Sequence, residues 1–236
     1  MVEQKTVAKS RSVNRVVKSA PYEPGGKAPA TRRRLLDAAA FVLAEKGFTG
    51  MRLSDVGEVA GVQAPAIYYH FNNKEELAGE VFITGLVRSR ATLEEVLALH
   101  ENDDALDRLA VAIDAHVRMS ARQTVYGRAW MHRSTGDVPE AVEQMCQSDE
   151  RAYARVWTQV LSNAHSDGFL RGDIDLKTAQ QMLLGALNSI SFVTRAGRAL
   201  DVDGLVRSAQ TMLLSGLSET QRAWPLLAES EVVDPF

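Results

Sequence analysis

Cysteine is nearly absent. Cys146 is the only one in 236 residues, so no intramolecular disulfide can form, and a small buried hydrophobe is the expected role of that thiol. Proline is scarce too: 7 occur, several near the ends, and the stretch Lys74–Leu217 contains Pro139 alone. Sandwiches and barrels need frequent Gly/Pro turns, so this scarcity favours helices. No run of about 20 apolar residues exists, which argues against a membrane-spanning helix. The N-terminus lacks the apolar segment of a secretory signal. A cytoplasmic protein with no membrane partner is expected. Also missing are a Gly-rich phosphate loop, a Gly-x-Ser-x-Gly elbow and any His/Cys/Asp cluster at metal-ligand spacing. The five histidines are scattered at 70, 100, 116, 132 and 165. Neither an enzyme nor a bound metal or cofactor is expected.

What is present is unevenly placed. The net charge is −3, yet residues 1–34 hold nine Lys/Arg against Glu3 and Glu23, a local excess of +7 that leaves −10 for the remainder. A basic end on an acidic body suits binding a polyanion through one end. A solubilising tail is the alternative. Apolar residues reach 45%, enough for a sizeable core in one large domain or in a small domain plus a medium one.

Residues 1–30 read as a flexible basic arm, with Pro24-Gly25-Gly26 and no sustained period. Thr31 offers an N-cap for a helix to about Lys46, stopped by Gly47. Two short helices follow, Leu53–Ala60 and Ala64–Phe71, separated by Gly61, Val62 and Gln63. Lys74–His100 reads as a long helix. Apolar stripes then mark helices through Leu106–Val117 and Val142–Val160, with a shorter segment, Val125–His132, between them. Leu176–Ala196 is apolar nearly all round, which predicts burial on more than one side. Val202–Leu217 is the last helix, and 218–236 reads as a tail. The fold class expected is all-α: a helix-turn-helix domain over 31–76, then a helical bundle over 77–217.

The pair of short helices carries the functional signal. Gly61 can adopt positive φ, letting the chain reverse within three residues. On a helical wheel Ile67 and Phe71 point inward, while Pro65, Ala66 and Tyr69 point outward with Tyr68 and His70 on the flanks. Small residues let a backbone approach base edges, and Ala or Pro can contact thymine methyls. Tyr68, His70 and Lys74 are placed to meet phosphates. Packing of the aromatics against neighbouring helices is the alternative.

These residues also resemble a family. The motifs Ala38-Ala39, Lys46-Gly47-Phe48, Ala60-Gly61-Val62, Ile67-Tyr68-Tyr69-His70-Phe71 and Lys74-Glu75-Glu76-Leu77 are similar to the DNA-binding domain of TetR-family regulators. The resemblance implies DNA contacts by Tyr68, Tyr69, His70 and Lys74, with Thr31, Arg32 and Arg33 approaching a phosphate. Ala64, Pro65 and Ala66 complete the face. Arg52 stands where the family often has Ser or Thr, so the usual N-cap of the second helix is missing, and Gln63 stands where it often has Ser, ahead of the recognition helix. The family plan adds a ligand-binding and dimerisation domain.

A short recognition helix supplies too little contact alone, so a homodimer reading two half-sites of a palindrome in double-stranded DNA is expected. The candidate interface is Met182, Leu183, Gly185, Ala186 and Ile190 with Leu205, Met212 and Leu213; monomer core is the alternative for both helices. For a small hydrophobic effector, Trp130, Met145, Tyr153 and Trp157 could line a pocket, with His116 and Asp149 as its polar groups. Plain core packing is the alternative there also. The run Gly168–Asp173 leading into Leu184–Asn188 is more distantly similar to family members that sense acyl-CoA thioesters in lipid or sterol breakdown. That likeness implies an acyl-CoA effector, its phosphates met by Arg88, Arg151, Arg155 or Arg195, among which the sequence does not choose. The expected function is a ligand-responsive regulator, a repressor released by its effector, with the long helix from Lys74 as the lever. A DNA-bound adaptor of the same fold with no effector is the rival.

Overall fold

The computed structural model describes residues 27–122, 124–133, 138–193 and 201–218. Among them are nine helices: α1 (Lys27–Gly50), α2 (Leu53–Ala60), α3 (Ala64–His70), α4 (Lys74–Leu99), α5 (Ala105–Ala121), α6 (Val125–Arg133), α7 (Glu140–Ser166), α8 (Leu176–Val193) and α9 (Val202–Leu217). The all-helical expectation holds. The only β pairing among the described residues is one bridge, Leu170 to Ser218. The arm expected over 1–30 lies outside the described residues as far as 26, and 27–30 instead form the first turn of α1. Thr31 is therefore inside the helix, not its cap. Pro29 is tolerated because a first turn has no i−4 carbonyl to lose. The tail from 219 lies outside the described residues.

Turn chemistry explains the breaks. Gly47 interrupts α1 with φ 67° and ψ 177°, a positive φ as expected but with an extended ψ. Gly61 closes α2 in the left-handed region, φ 65° and ψ 39°. A Cβ on Gly57 would meet the Val62 carbonyl oxygen at 3.0 Å, so the turn folds back tightly onto α2. The start of α4 is capped reciprocally. The Asn73 side chain accepts from Glu76 N at 2.7 Å, and the Glu76 carboxylate accepts from Asn72 N at 2.7 Å. The Asp104 and Asp201 side chains accept from backbone N–H groups and cap the starts of α5 and α9.

Two apolar cores organise the helices. The first joins α1, α2 and α3 with the start of α4, and it extends into Tyr126 and Ala129 of α6 and Val142 and Cys146 of α7. The second joins the end of α4 with α5, α7, α8 and α9 around Ile113 and Trp157. Cys146 is fully buried and its thiol is pushed up to about 11, chiefly by burial, as a packing residue requires.

One charge network lies in the second core's wall. Asp114 is fully buried and accepts from Arg118 Nε at 2.5 Å, while the same guanidinium donates to Asp203 of α9 at 2.7 Å. The pair ties α5 to α9. Removing the cation alone takes the counter-charge from a buried carboxylate, which costs more than the pair itself is worth. Arg118→Met is expected to destabilise the chain by about 3 kcal/mol, lowering the calorimetric midpoint by roughly 6–12 °C. Asp203→Asn, at the exposed end of the network, should cost under about 1 kcal/mol.

Candidate nucleic-acid interface and effector cavity

The helix-turn-helix presents the outward face expected from the wheel. Ile67 and Phe71 are buried against Val56 and Ala60, while Tyr68 and Tyr69 are 60% and 79% exposed. Pro65 is exposed, Ala66 half-buried, and the Ala64 side chain lies outside the described set. His70 is half-buried and meets the Tyr69 ring edge-on, with centroids 5.0 Å apart. Arg52 and Gln63 are exposed at the N-caps of α2 and α3, and neither side chain caps its helix.

The cations around this face are partly committed elsewhere. Lys74 Nζ donates to the Phe48 carbonyl at 2.9 Å and the Met51 carbonyl at 3.3 Å, and sits 4.2 Å from the Phe48 ring centroid. It ties α4 to the end of α1, leaving one N–H for a phosphate. The Arg32 guanidinium pairs with Glu80 and covers the Phe71 ring. Arg34 donates to the Ala60 carbonyl. Arg33 is exposed, while Thr31 is half-buried.

Behind this unit lies a cavity of about 120 Å³, walled by α4, α5, α6, α7 and α8. Leu86, Met119, Trp130 and Met131 supply apolar surface, and Ser89, Ser120, Thr124 and Asn188 supply hydroxyl and amide groups. Of the residues expected here, His116, Trp130 and Tyr153 line the space. Three do not. Met145 packs where α4 passes α7, its Cε 2.5 Å from where a Gly79 Cβ would stand. Asp149 accepts from its neighbour Ser148. Trp157 is fully buried behind the wall, edge-on to His116 at 5.9 Å between centroids.

His116 and Tyr153 form the cavity's polar centre. A 2.8 Å hydrogen bond joins His116 Nδ1 to the Tyr153 hydroxyl. Burial lowers the imidazole to about 4, opposed by a hydrogen bond with Asn188, and burial raises the phenol to about 12. Both are neutral at pH 7. Among the described residues the one charged wall residue is Arg128, which donates to Glu45 at 2.8 Å. The site therefore suits an uncharged, mostly apolar group with a hydrogen-bonding function.

The element that periodicity underrated is α6. Its Tyr126 hydroxyl donates to Asp37 at 2.8 Å, His132 Nε2 lies 3.1 Å from the Ala44 carbonyl, and Arg128 reaches Glu45. All three partners are on α1. Tyr126 and Arg128 also line the cavity, so one short helix touches both functional units. No local motif announces this, because the partners are 83 to 89 residues apart.

The expected dimer residues divide. Met182 and Met212 are 72% and 78% exposed, and Gly185 and Ala186 are exposed beside them. Leu183 and Ile190 instead face the core of their own chain. Leu205 and Leu213 pack half-buried against that core. α8, expected to be buried on more than one side, thus leaves its outer side open in the single chain.

His116 gives this site a pH signature. Its folded-state value lies below its unfolded one, so the unfolded chain binds the extra proton as pH falls from about 6.5 to about 4. Stability should be complete above pH 6.5 and decline by about 3 kcal/mol across that window. Urea titrations of the parent and His116→Gln between pH 7 and pH 4 should show the variant losing less.

Two family models match the chain: "Bacterial regulatory proteins, tetR family" over residues 35–81, and "Tetracyclin repressor-like, C-terminal domain" over 102–217. The fatty acid metabolism regulator protein of Bacillus subtilis (strain 168) is 22% identical over 188 residues, 78% of this chain and 94% of its own. The HTH-type transcriptional repressor KstR2 of Rhodococcus jostii (strain RHA1) is 23% identical over 197 residues, 79% and 91% of the two chains. The solved structure of FadR from Bacillus subtilis in complex with stearoyl-CoA has a TM-score of 0.68 at 23% identity, covering 78% of this chain and 98% of that one. These relatives are named as regulators and a repressor, not enzymes. With both of its segments matched and its outward Tyr68-Tyr69 face in place, the chain belongs to the TetR family of DNA-binding transcriptional regulators.

Proposed function

We propose that the chain is a repressor that binds a palindromic operator as a homodimer and is released by a small hydrophobic effector. The observation that carries the reading is α6, which walls the cavity on one side and is hydrogen-bonded to α1 on the other. At about 120 Å³ the cavity is smaller than the ~300–1,000 Å³ usual for a drug-sized ligand. A longer effector must displace a wall, and displacing α6 strains its bonds to α1. That supplies the differential interaction a two-state switch requires. An acyl-CoA is the first candidate. The B. subtilis FadR structure is titled as a complex with stearoyl-CoA, and the cavity here offers an apolar wall with neutral hydrogen-bonding groups.

The dimer would form through the outer sides of α8 and α9, where Met182 and Met212 expose apolar surface beside Gly185 and Ala186. Twofold pairing would set two α3 helices to read half-sites about 34–36 Å apart, or a multiple of that. No helix among the described residues is long and apolar enough to cross a membrane, and we place the protein in the cytoplasm. The small cavity favours one rival, a DNA-bound adaptor of the same fold with no effector.

Fluorescence anisotropy on DNA from upstream of the chain's own gene, titrated with acyl-CoAs of increasing chain length, separates the two. Release at micromolar effector supports the repressor; binding that no thioester perturbs supports the adaptor. Tyr69→Ala should weaken operator binding about tenfold or more, one base contact being worth ~1–3 kcal/mol, while leaving the melting midpoint unchanged. Tyr126→Phe should keep operator affinity within about threefold but blunt effector release, because it removes one α6–α1 bond worth about 1 kcal/mol.

A further inference from the structure

A second concave site lies away from the cavity, in a groove of about 360 Å³ between α4, α5 and α7. Three arginines come together on its wall: Arg90 from α4, Arg108 from α5 and Arg155 from α7. Glu94 is the only acidic residue on that wall among the described residues, which leaves an excess of two positive charges. Its carboxylate is 3.7 Å from Arg90 Nε, beyond hydrogen-bond reach. Arg108 donates one weak bond, 3.4 Å, to the Leu97 carbonyl. The Nε atoms of Arg90 and Arg108 are both fully buried and have no acceptor within the described chain.

Buried N–H donors normally have partners, and an unsatisfied charged one is costlier than a neutral one. Two such guanidinium groups from different helices, with Arg155 beside them on the groove wall, offer their remaining outer N–H groups to an acceptor-only anion. Guanidinium forks match tetrahedral phosphate oxygens in pairs, and three of them suit more than one phosphate. Gln159 and Asn163 of α7 add amide groups at the same wall. Along α5, Arg108 precedes His116 by about 12 Å at 1.5 Å per residue, so the groove and the cavity are distinct places.

We propose that this groove binds a phosphate-bearing anion, either a nucleotide or inorganic diphosphate. The inference shares Arg155 with the acyl-CoA reading, and inorganic pyrophosphate, which carries no acyl chain, tests it apart from effector release.

Isothermal titration of the full chain with sodium pyrophosphate and with ADP, against sodium chloride at matched ionic strength, tests it. One anion per chain with a Kd below roughly 1 mM is expected. Arg90→Gln and Arg155→Gln should each weaken binding about tenfold, the loss of one charge-assisted pair, with unchanged melting midpoints in buffer. ADP binding more tightly than pyrophosphate identifies a nucleotide as the ligand; equal or weaker ADP binding identifies the inorganic anion. Binding undiminished in both variants would overturn the proposal, because the basic N-terminal residues would then be holding the anion. So would the absence of saturable binding by either probe.

Discussion

The packing of α6 against α1 is the contact on which the rest of the molecule depends. α6 spans only nine residues, Val125–Arg133, too few to be stable as an isolated helix. Its stability comes from burying Tyr126 and Ala129 in the core of the helix-turn-helix unit. Its partners Asp37, Ala44 and Glu45 repeat at i, i+7 and i+8, so they lie on one face of α1. The buried Tyr126 phenol is held protonated, by burial first and then by the neighbouring Asp37 carboxylate. The DNA-binding unit is thus not a bead on a string. Its core is completed by residues from the far side of the chain, some of which also wall the cavity.

The helix-turn-helix was legible because its signals are local. Gly61 requires a positive φ, the spacing of Ile67 and Phe71 fixes an inward face, and both follow from a few neighbouring residues. Helices α5, α7 and α9 were legible for a related reason, since each carries a one-sided apolar stripe. The start of α1 is not legible because Thr31 is a good cap and residues 1–30 show no sustained period, though a first turn accommodates Pro29.

Long-range facts were not legible. Periodicity gives the apolar residues of α8 but cannot tell which side meets the chain's own core, so Leu183 and Ile190 were grouped with Met182. The effector residues show the same limit. His116 and Tyr153 stand out in the sequence as polar or aromatic residues on apolar stripes, and they line the cavity. Met145 and Trp157 have the same appearance in sequence but sit where helices cross or behind the wall. The α6–α1 bonds join residues more than 80 positions apart and leave no motif.

Charge on the recognition side was the most misleading quantity in the sequence. A count of Lys and Arg suggests a strongly cationic face, but the fold uses several of these groups internally. Arg32 goes to Glu80, Arg34 to the Ala60 carbonyl, Lys46 to Asp55, and Lys74 to the carbonyls at the end of α1. Arg33 and Arg52 remain exposed, beside a face of Tyr68, Tyr69 and Pro65 with few hydrogen-bonding groups. Such a face would discriminate bases mainly through shape and apolar contact, for which the major groove offers the thymine methyl. Nonspecific attraction scales with the number of phosphates neutralised, and much of the available positive charge lies in residues 1–26. On the repressor reading proposed above, reading of sequence would fall to the Tyr-rich α3 and nonspecific capture of DNA to the basic N-terminal residues.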